Sequence, residues 1–193
     1  LRSLPRTLDY SAGVSFGNGG QAVRRHVLLV KSDDLLGANY LVMRDITQDG
    51  QPKQEFFWNL WCLAKDVQGR NLTFAPGETN APPPSSSVQP AQATETMPDN
   101  AVHFVGQFGV DLDVHVLAPL QPKFLTDFWD CRSHVYTWGP FSEAQYGLHV
   151  GKQGSAEDFF TVLYPRATGQ GPAQVIALGT NAAVQVEHTE GTD

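Results

Sequence analysis

The sequence predicts an all-β protein, namely one antiparallel, jelly-roll-like β-sandwich with a long Pro- and Ser-rich surface loop. Apolar runs of strand length, rich in β-branched and aromatic residues, follow one another along most of the 193 residues. Gly, Pro, Asn and Asp mark nearly every gap between these runs, as is typical of turns. A sustained 3.6-residue apolar period, which would indicate helices, is missing.

The first half of the chain opens on an irregular, Gly-rich segment with one short predicted strand over 13–16. Strands are then predicted over 24–31, 39–46 and 55–64, and the Asp-Gly pair at 49–50 is a hairpin signal. We expect these three strands to form an antiparallel meander. Apolar residues on both faces of the first and third strands predict that each is covered on both sides.

The Pro- and Ser-rich loop is predicted over 75–100, a low-complexity tract that also contains Ala, Thr and Gln. Such a tract buries too little apolar surface to offset the entropy of ordering it. A surface loop inserted into a single domain over 1–193 is favoured over an interdomain linker, because the strands on its two sides are short and similar. The chain lacks an initiator Met and ends abruptly after its last strand, so we expect a fragment truncated at both ends.

The second half contains seven further predicted strands. Proline cannot donate to a β-ladder, so Pro165 is expected to end the most apolar and therefore most central of them. A single helical turn is expected over 122–128. The predicted strands cover 102–105, 110–117, 132–138, 145–150, 157–164, 173–178 and 182–188.

The composition argues against two classes of partner. Thirteen Lys and Arg against twenty Asp and Glu give a formal net charge of −7, whereas nucleic-acid binding needs a basic face. No apolar run approaches the ~20 residues of a membrane span, so a membrane partner is not expected either. The two cysteines, Cys62 and Cys131, stand in apolar or aromatic surroundings, and two separate buried thiols are favoured over a disulfide.

One predicted strand contains a candidate metal site. Asp111, Asp113 and His115 alternate with apolar residues, so the strand pleat places all three on one face. Two carboxylates and an imidazole are suitable ligands for Zn²⁺ or another divalent ion. The solvated face of a half-buried strand needs the same alternation, and this simpler interpretation is favoured because no fourth ligand is evident nearby.

A second strand contains a candidate substrate-binding face formed by Arg132, His134, Tyr136 and Trp138, which alternate with smaller residues. Aromatic faces beside polar and cationic groups suit a sugar polymer, and the planar guanidinium pairs well with a uronate or sulfate. The alternative interpretation places Tyr136 and Trp138 in the core and Arg132 at its rim.

No catalytic motif is evident, because the sequence contains no Ser-His-Asp order, glycine-rich phosphate loop or CxxC pair. His26 is a single histidine in the opening strand, and a structural role is favoured over a catalytic one. For Arg166, recognition of an acid group and the absence of any function are equally favoured.

Four segments read RRHVLLV (24–30), NYLVMRD (39–45), DFFTVLYPR (158–166) and VEHTEGTD (186–193). Together they resemble the C-terminal β-domain of heparinase II/III-like polysaccharide lyases, over most of the chain apart from the Pro-rich tract. The resemblance implies an antiparallel β-sandwich that forms a cleft with an N-terminal α/α toroid, in a secreted or periplasmic enzyme. Such an enzyme abstracts the proton next to a uronate carboxyl of an acidic polysaccharide and eliminates across the glycosidic bond.

The same resemblance assigns no catalytic residue to this chain. In the family the toroid supplies a Tyr and usually an Asn or His, and the early His-rich segment of the β-domain would lie before residue 1. Some members have a structural zinc, but residues 59–62 read NLWC where a metal-binding His is expected. We expect that no cofactor is required, and a divalent metal stays an open possibility.

The leading interpretation is the β-sandwich portion of such a lyase, inactive by itself because the missing toroid supplies the reacting groups. The alternative is a stand-alone carbohydrate-binding or structural jelly-roll module without catalysis. A metal hydrolase built on Asp111, Asp113 and His115 is a third class.

Overall fold

The computed structural model describes residues 2–4, 8–16, 22–34, 37–48, 54–74, 93–130, 135–136, 139–140, 144–154, 158–179 and 183–193. Within these ranges all regular secondary structure is β-strand. The paired strands run antiparallel. The predicted all-β antiparallel class is thereby confirmed. The same ranges contain no helix that is long and apolar enough to cross a membrane.

The strands follow the apolar runs of the sequence. The first half of the chain forms β1 (Arg2–Leu4), β2 (Leu8–Phe16), β3 (Ala22–Val30), β4 (Tyr40–Gln48), β5 (Gln54–Gln68), β6 (Asn71–Phe74) and β7 (Ala93–Thr96). The second half forms β8 (Ala101–Gly106), β9 (Val110–Ala118), β10 (Lys123–Asp130), β11 (Val135–Tyr136), β12 (Gly139–Pro140), β13 (Ala144–Gly154), β14 (Asp158–Ala167), β15 (Gln174–Ala177), β16 (Val184–His188) and β17 (Gly191–Thr192).

Two layers make up the sandwich, and the long strand β5 belongs to both. Layer one has the order β1-β2-β3-β4-β14-β9-β8-β5, and layer two continues as β5-β13-β10-β7-β6. Residues 54–63 of β5 pair with β13, whereas its last residues pair with β8 after an irregularity between Ala64 and Asp66. An extra residue of this kind bends a strand, so the chain passes from one layer to the other without a loop.

The main core lies between the two layers. Phe104 of β8 and Leu148 of β13 come from opposite layers and are 1% and 0% exposed. Phe56 and Trp58 of β5 belong to the same buried cluster. Each such side chain stabilises the fold by roughly 1.5–3 kcal/mol through removal from water.

A second core lies on the outer face of layer one. The small sheet β15-β16-β17 supplies Val186, which packs with Tyr40, Val162 and Tyr164 of β4 and β14. Strand β14 is therefore covered on both faces, and residues 159–164 are all buried. This agrees with the prediction that the most apolar strand is central.

The predicted meander is wrong in its third strand. β3 and β4 pair as expected, but the second neighbour of β4 is β14, and β5 pairs with β8 and β13 instead. β14 is apolar on both faces and suits the middle of layer one, whereas β5 buries only one face. The expectation that β3 and β5 are covered on both sides is also wrong, since Val27–Val30 are only half-buried and Phe57, Trp61 and Leu63 are exposed.

Two local expectations concern the helical turn over 122–128 and the loop over 75–100, and of these the helical turn is wrong. Residues 122–128 do not form a helical turn, because β10 occupies Lys123–Asp130 and pairs with β13. The predicted loop over 75–100 contains strand β7 near its end, paired with β6, and residues 75–92 lie outside the described residues. The single-domain organisation stays a prediction.

Pro165 does not end its strand either. β14 continues to Ala167, with Pro165 opposite Leu112 of β9. The Thr168 N–H donates to Gly109 O on the β9 side, so by the two-residue alternation of a strand the nitrogen of Pro165 faces the other side. On that side, pairing of β14 with β4 ends at Leu163. Because no strand lies beside Pro165 there, the missing N–H costs no hydrogen bond of the sheet.

Candidate functional site

The outer face of layer one contains the predicted metal-ligand set. Asp111, Asp113 and His115 lie opposite Arg166, Tyr164 and Val162 of β14, so the three share one face as predicted. The two carboxylates are not solvated, since Asp111 is 4% and Asp113 5% exposed. The simpler interpretation of a solvated polar face is therefore wrong, because neighbouring strands supply charged partners that cover both carboxylates.

Asp113 is held between a histidine and an arginine. The Nδ1 atom of His103 lies 2.6 Å from Asp113 Oδ1, and Arg166 Nε donates to Asp113 Oδ2 at 2.8 Å. His103 lies directly across from Asp113 in the β8–β9 register, and Arg166 reaches in from β14. The side chains of His103 and Arg166 are 22% and 10% exposed, so only the imidazole has appreciable access to solvent.

Asp111 accepts hydrogen bonds from neutral donors. The Gly106 N–H donates to Asp111 Oδ1 at 3.0 Å and the Thr168 hydroxyl at 2.9 Å. Burial by itself would raise the pKa of Asp111, but these two hydrogen bonds and the charges of His103 and Arg166 together lower that pKa below its ordinary value. Asp111 is therefore held as a carboxylate inside the fold.

His115 lies apart from this network. Its pKa is lowered because it is buried, although the charge of Asp113 acts in the opposite direction. Its Nε2 atom is buried without a hydrogen-bond partner among the described residues. Within the same residues, no three His, Cys, Asp or Glu side chains are grouped so as to hold a metal ion. Binding of a divalent ion by Asp111, Asp113 and His115 stays a prediction.

His103, which lies closest to Asp113, was not predicted from the sequence. In the sequence it is a lone histidine inside an apolar run, VHFV, which is the usual pattern of a half-buried strand. Only the pairing of β8 with β9 places its ring against the carboxylate. A carboxylate that fixes one imidazole nitrogen orients the ring for proton transfer. Within this network, His103 is therefore the side chain best placed to accept or donate a proton.

A second titratable group lies on the same face, where β2, β3 and β4 pair. The Tyr10 hydroxyl and His26 Nδ1 are 2.6 Å apart, and Arg44 lies directly across from His26. The three side chains, with Leu28, Val42 and Phe160, line a shallow cavity of about 210 Å³. Arg44 is itself ion-paired with Asp158. His26 therefore forms part of a polar group, which the sequence did not predict.

Little of the predicted sugar-binding strand is described. Arg132, His134 and Trp138 lie outside the described residues, and Tyr136 is placed by its backbone alone, in the two-residue strand β11 that pairs with β12. This face stays a prediction. Cys131 also lies outside the described residues, while Cys62 is a free, half-buried thiol whose pKa is raised to about 11 by burial.

Comparison with known proteins gives a match in structure but none in sequence. No family model matches the chain, and no curated protein matches it. Among solved structures, the heparan sulfate lyase HepC from Pedobacter heparinus matches with a TM-score of 0.57 and 13% sequence identity, over 99% of this chain and 26% of that one. A mutant of the same lyase gives the same values.

The structural match concerns the fold, because 13% identity does not establish a shared activity. The chain spans about a quarter of the length of the lyase, 26%, and nearly all of its own length is used in the match. The β-sandwich described above is therefore a heparinase-like fold, similar to one segment of a larger enzyme.

Proposed function

We propose that this chain is the β-sandwich portion of a heparinase II/III-like polysaccharide lyase, and that the complete enzyme cleaves a uronate-containing polysaccharide by β-elimination. The observation that supports this is the fold match, which uses 99% of this chain and 26% of a heparan sulfate lyase. The rest of such an enzyme would supply the α/α toroid as the partner of this domain. A secreted or periplasmic location belongs to the same proposal.

The chain by itself is proposed to be non-catalytic. β-Elimination needs a base, an acid and a group that neutralises the uronate carboxylate. On the outer face of layer one, Arg44 is paired with Asp158 and Arg166 with Asp113, so each guanidinium already neutralises a carboxylate of the protein. Tyr10 and His26 are a phenol and an imidazole in contact, but the arginine beside them is engaged.

The test is an elimination assay on heparan sulfate and on polygalacturonate, read as ultraviolet absorbance of the unsaturated product. We expect no product from this chain alone and product from the parent protein. Activity of the chain alone would contradict the proposal, and Tyr10→Phe and His26→Ala would then identify the groups responsible. An inactive parent protein would favour the alternative, a carbohydrate-binding or structural module without catalysis.

The predicted face of Arg132, His134, Tyr136 and Trp138 is retained as a substrate contact. Arg132→Ala is expected to weaken binding of an acidic polymer by about 1–3 kcal/mol, the range for a hydrogen bond to a charged group, with a smaller effect at high salt. Trp138→Ala would weaken acidic and neutral polymers alike. A large drop in melting temperature with unchanged affinity of the folded protein would instead place Trp138 in the core.

The possible divalent metal at Asp111, Asp113 and His115 is tested by metal analysis of the purified protein. Stoichiometric metal that is lost in Asp113→Asn would support the site and the metal-hydrolase class. The hydrogen bonds of Asp113 to His103 and Arg166 predict the opposite result, since both of its oxygens are already in use.

A further inference from the structure

The outer face of layer two has a row of exposed side chains along β5. Phe57 and Trp61 of β5 are 55% and 48% exposed. Their neighbours Phe56 and Trp58 point the other way, into the core. The pleat of β5 therefore divides four aromatic residues equally between the core and the solvent.

A glycine of β13 lies opposite each exposed ring. Gly147 pairs with Trp61 and Gly151 with Phe57. A Cβ atom on Gly147 would meet three atoms of the Trp61 indole at 3.0 Å, and one on Gly151 would meet Phe57 Cε1 at 2.9 Å. Each ring thus lies against its glycine, and about half of each residue stays open to solvent.

Polar groups separate the two rings. Asn59 and His149 are cross-strand partners, and the Nδ1–H of His149 donates to Asn59 Oδ1 at 2.5 Å. The imidazole also meets the Trp61 ring edge-on, with centroids 5.9 Å apart and an interplanar angle of 81°. Both rings are therefore supported from below by glycine, and Trp61 is also supported from the side, so little side-chain entropy would be lost when a ligand binds.

The spacing of the rings suits an extended ligand. Positions 57 and 61 are four residues apart on one strand, which is about 13 Å at the rise of a β-strand. A ligand along β5 would meet an apolar ring, the exposed amide of Asn59 and a second apolar ring. Sugar rings have the complementary surface, because their C–H groups form an apolar face and their hydroxyls project at the edges.

We propose that the aromatic face, defined as Phe57, Asn59, Trp61 and His149, binds a polysaccharide chain by stacking sugar rings on Trp61 and Phe57. Asn59, which is exposed and held in place by His149, hydrogen-bonds to the hydroxyls between the stacked rings. A protein partner fits less well, because Asn59 separates Phe57 from Trp61 and Leu63, so the exposed apolar side chains do not form one continuous patch. The identity of the polymer as the uronate-containing substrate rests on the proposed function. The stacking of sugar rings on Trp61 and Phe57 does not depend on it.

The first test measures binding of the whole chain to heparan sulfate, polygalacturonate and the neutral glucan laminarin, by affinity electrophoresis in gels cast with each polymer. Trp61→Ala is expected to weaken binding about tenfold, which corresponds to ~1.4 kcal/mol for one lost stacking contact. Trp61→Phe should retain most of the affinity. Phe108→Ala removes an aromatic side chain that is 70% exposed elsewhere and should leave binding unchanged.

The second test uses the glycine support. Gly147→Ala keeps every side chain of the aromatic face but forces the indole off its position, so binding should weaken while thermal stability is kept. In the Trp61→Ala background the same change should have no further effect, because there is no indole to displace. An equal loss of binding in both backgrounds would contradict the proposed support of the indole by Gly147, because the change would then act through the sheet.

The outcomes separate this inference from the proposed function. Binding of the acidic polymers that is unaffected by Trp61→Ala would overturn the aromatic face and leave the lyase proposal standing. Binding of laminarin alone, lost in Trp61→Ala, would support the face and count against a uronate polymer. Absence of binding to all three polymers would overturn the face, as would self-association of the chain that Trp61→Ala abolishes.

Discussion

Single residues on the outer face of layer one illustrate how buried charge is tolerated. Asp111 and Asp113 are removed from water, which costs several kcal/mol for each charge unless partners compensate. Arg166, His103, the Gly106 N–H and the Thr168 hydroxyl are those partners. The network stabilises the fold only while it is complete. Removal of one cation would leave a buried carboxylate without a partner, and its desolvation cost would no longer be compensated.

Arg166→Leu is therefore expected to lower the free energy of unfolding by about 3–5 kcal/mol, the usual cost of breaking a buried ion pair. Arg166→Lys keeps the charge but loses the planar arrangement of donors, and should cost less. Urea denaturation measures both. Arg24→Leu, at an exposed arginine of β3, is the matched control and should change stability by no more than about 0.5 kcal/mol. Equal effects at the two positions would contradict the paired-carboxylate account.

Asp111 also predicts a pH dependence. Its pKa is lower in the folded chain than its ordinary value, so it contributes stability at pH values above the ordinary carboxyl pKa. That contribution is lost as the pH falls through the folded pKa. The difference in unfolding free energy between the native chain and Asp111→Asn should accordingly shrink as the solution is acidified. A difference that stays constant from neutral to acid pH would contradict this assignment.

Among the elements, β14 determines the arrangement of layer one. It is buried on both faces, pairs with β4 and β9, and contributes side chains to both cores. Its C-terminal end extends past the last residue paired with β4. A proline is tolerated there because the side of the strand that lacks an N–H has no partner strand.

Pro165→Ala should therefore change the free energy of unfolding by no more than about 1 kcal/mol, in the range of loop proline substitutions. Val162→Pro should cost about 1–3 kcal/mol more than Val162→Ala, because the proline also removes a ladder hydrogen bond and leaves its buried acceptor unsatisfied. Val162→Ala accounts for the loss of the side chain alone. Thermal melts of the three variants provide the comparison. A severe loss in Pro165→Ala would show that the proline itself is required for the strand to continue.

At the scale of the whole molecule, β5 joins two layers whose inner faces form a shared core. Phe104 is 1% exposed in that core, whereas Phe16 of β2 is 74% exposed. The two phenylalanines have the same chemistry and differ in burial. Stability should therefore depend on where the tertiary structure places an aromatic residue, and not on the number of aromatic residues in a strand.

Phe104→Ala is expected to destabilise the protein by about 3–5 kcal/mol, because the surrounding layers cannot close the cavity fully. Phe16→Ala should have an effect within about 0.5 kcal/mol. Denaturant unfolding followed by tryptophan fluorescence and by circular dichroism measures both variants. Similar losses of stability in the two variants would contradict the burial of Phe104 between the two layers.

The sequence by itself determined the class of the fold and the faces of its strands. A two-residue alternation places Asp111, Asp113 and His115 on one side of β9 whatever the strand pairs with. The length and β-branched content of the apolar runs likewise determine that they become strands. These are local properties, since they depend on neighbours within a few residues along the chain.

Only the tertiary structure decided which strands pair and which faces are buried. Asp113 is buried because His103 and Arg166 reach it from β8 and β14, and Arg166 is distant in sequence. Trp58 and Trp61 belong to the same apolar run, yet one is core and the other is open to solvent. Strand pairing depends on the apolar area that the whole chain buries. That area cannot be calculated from the residues of any single segment. The exposed aromatic face and the His103 network both result from this choice.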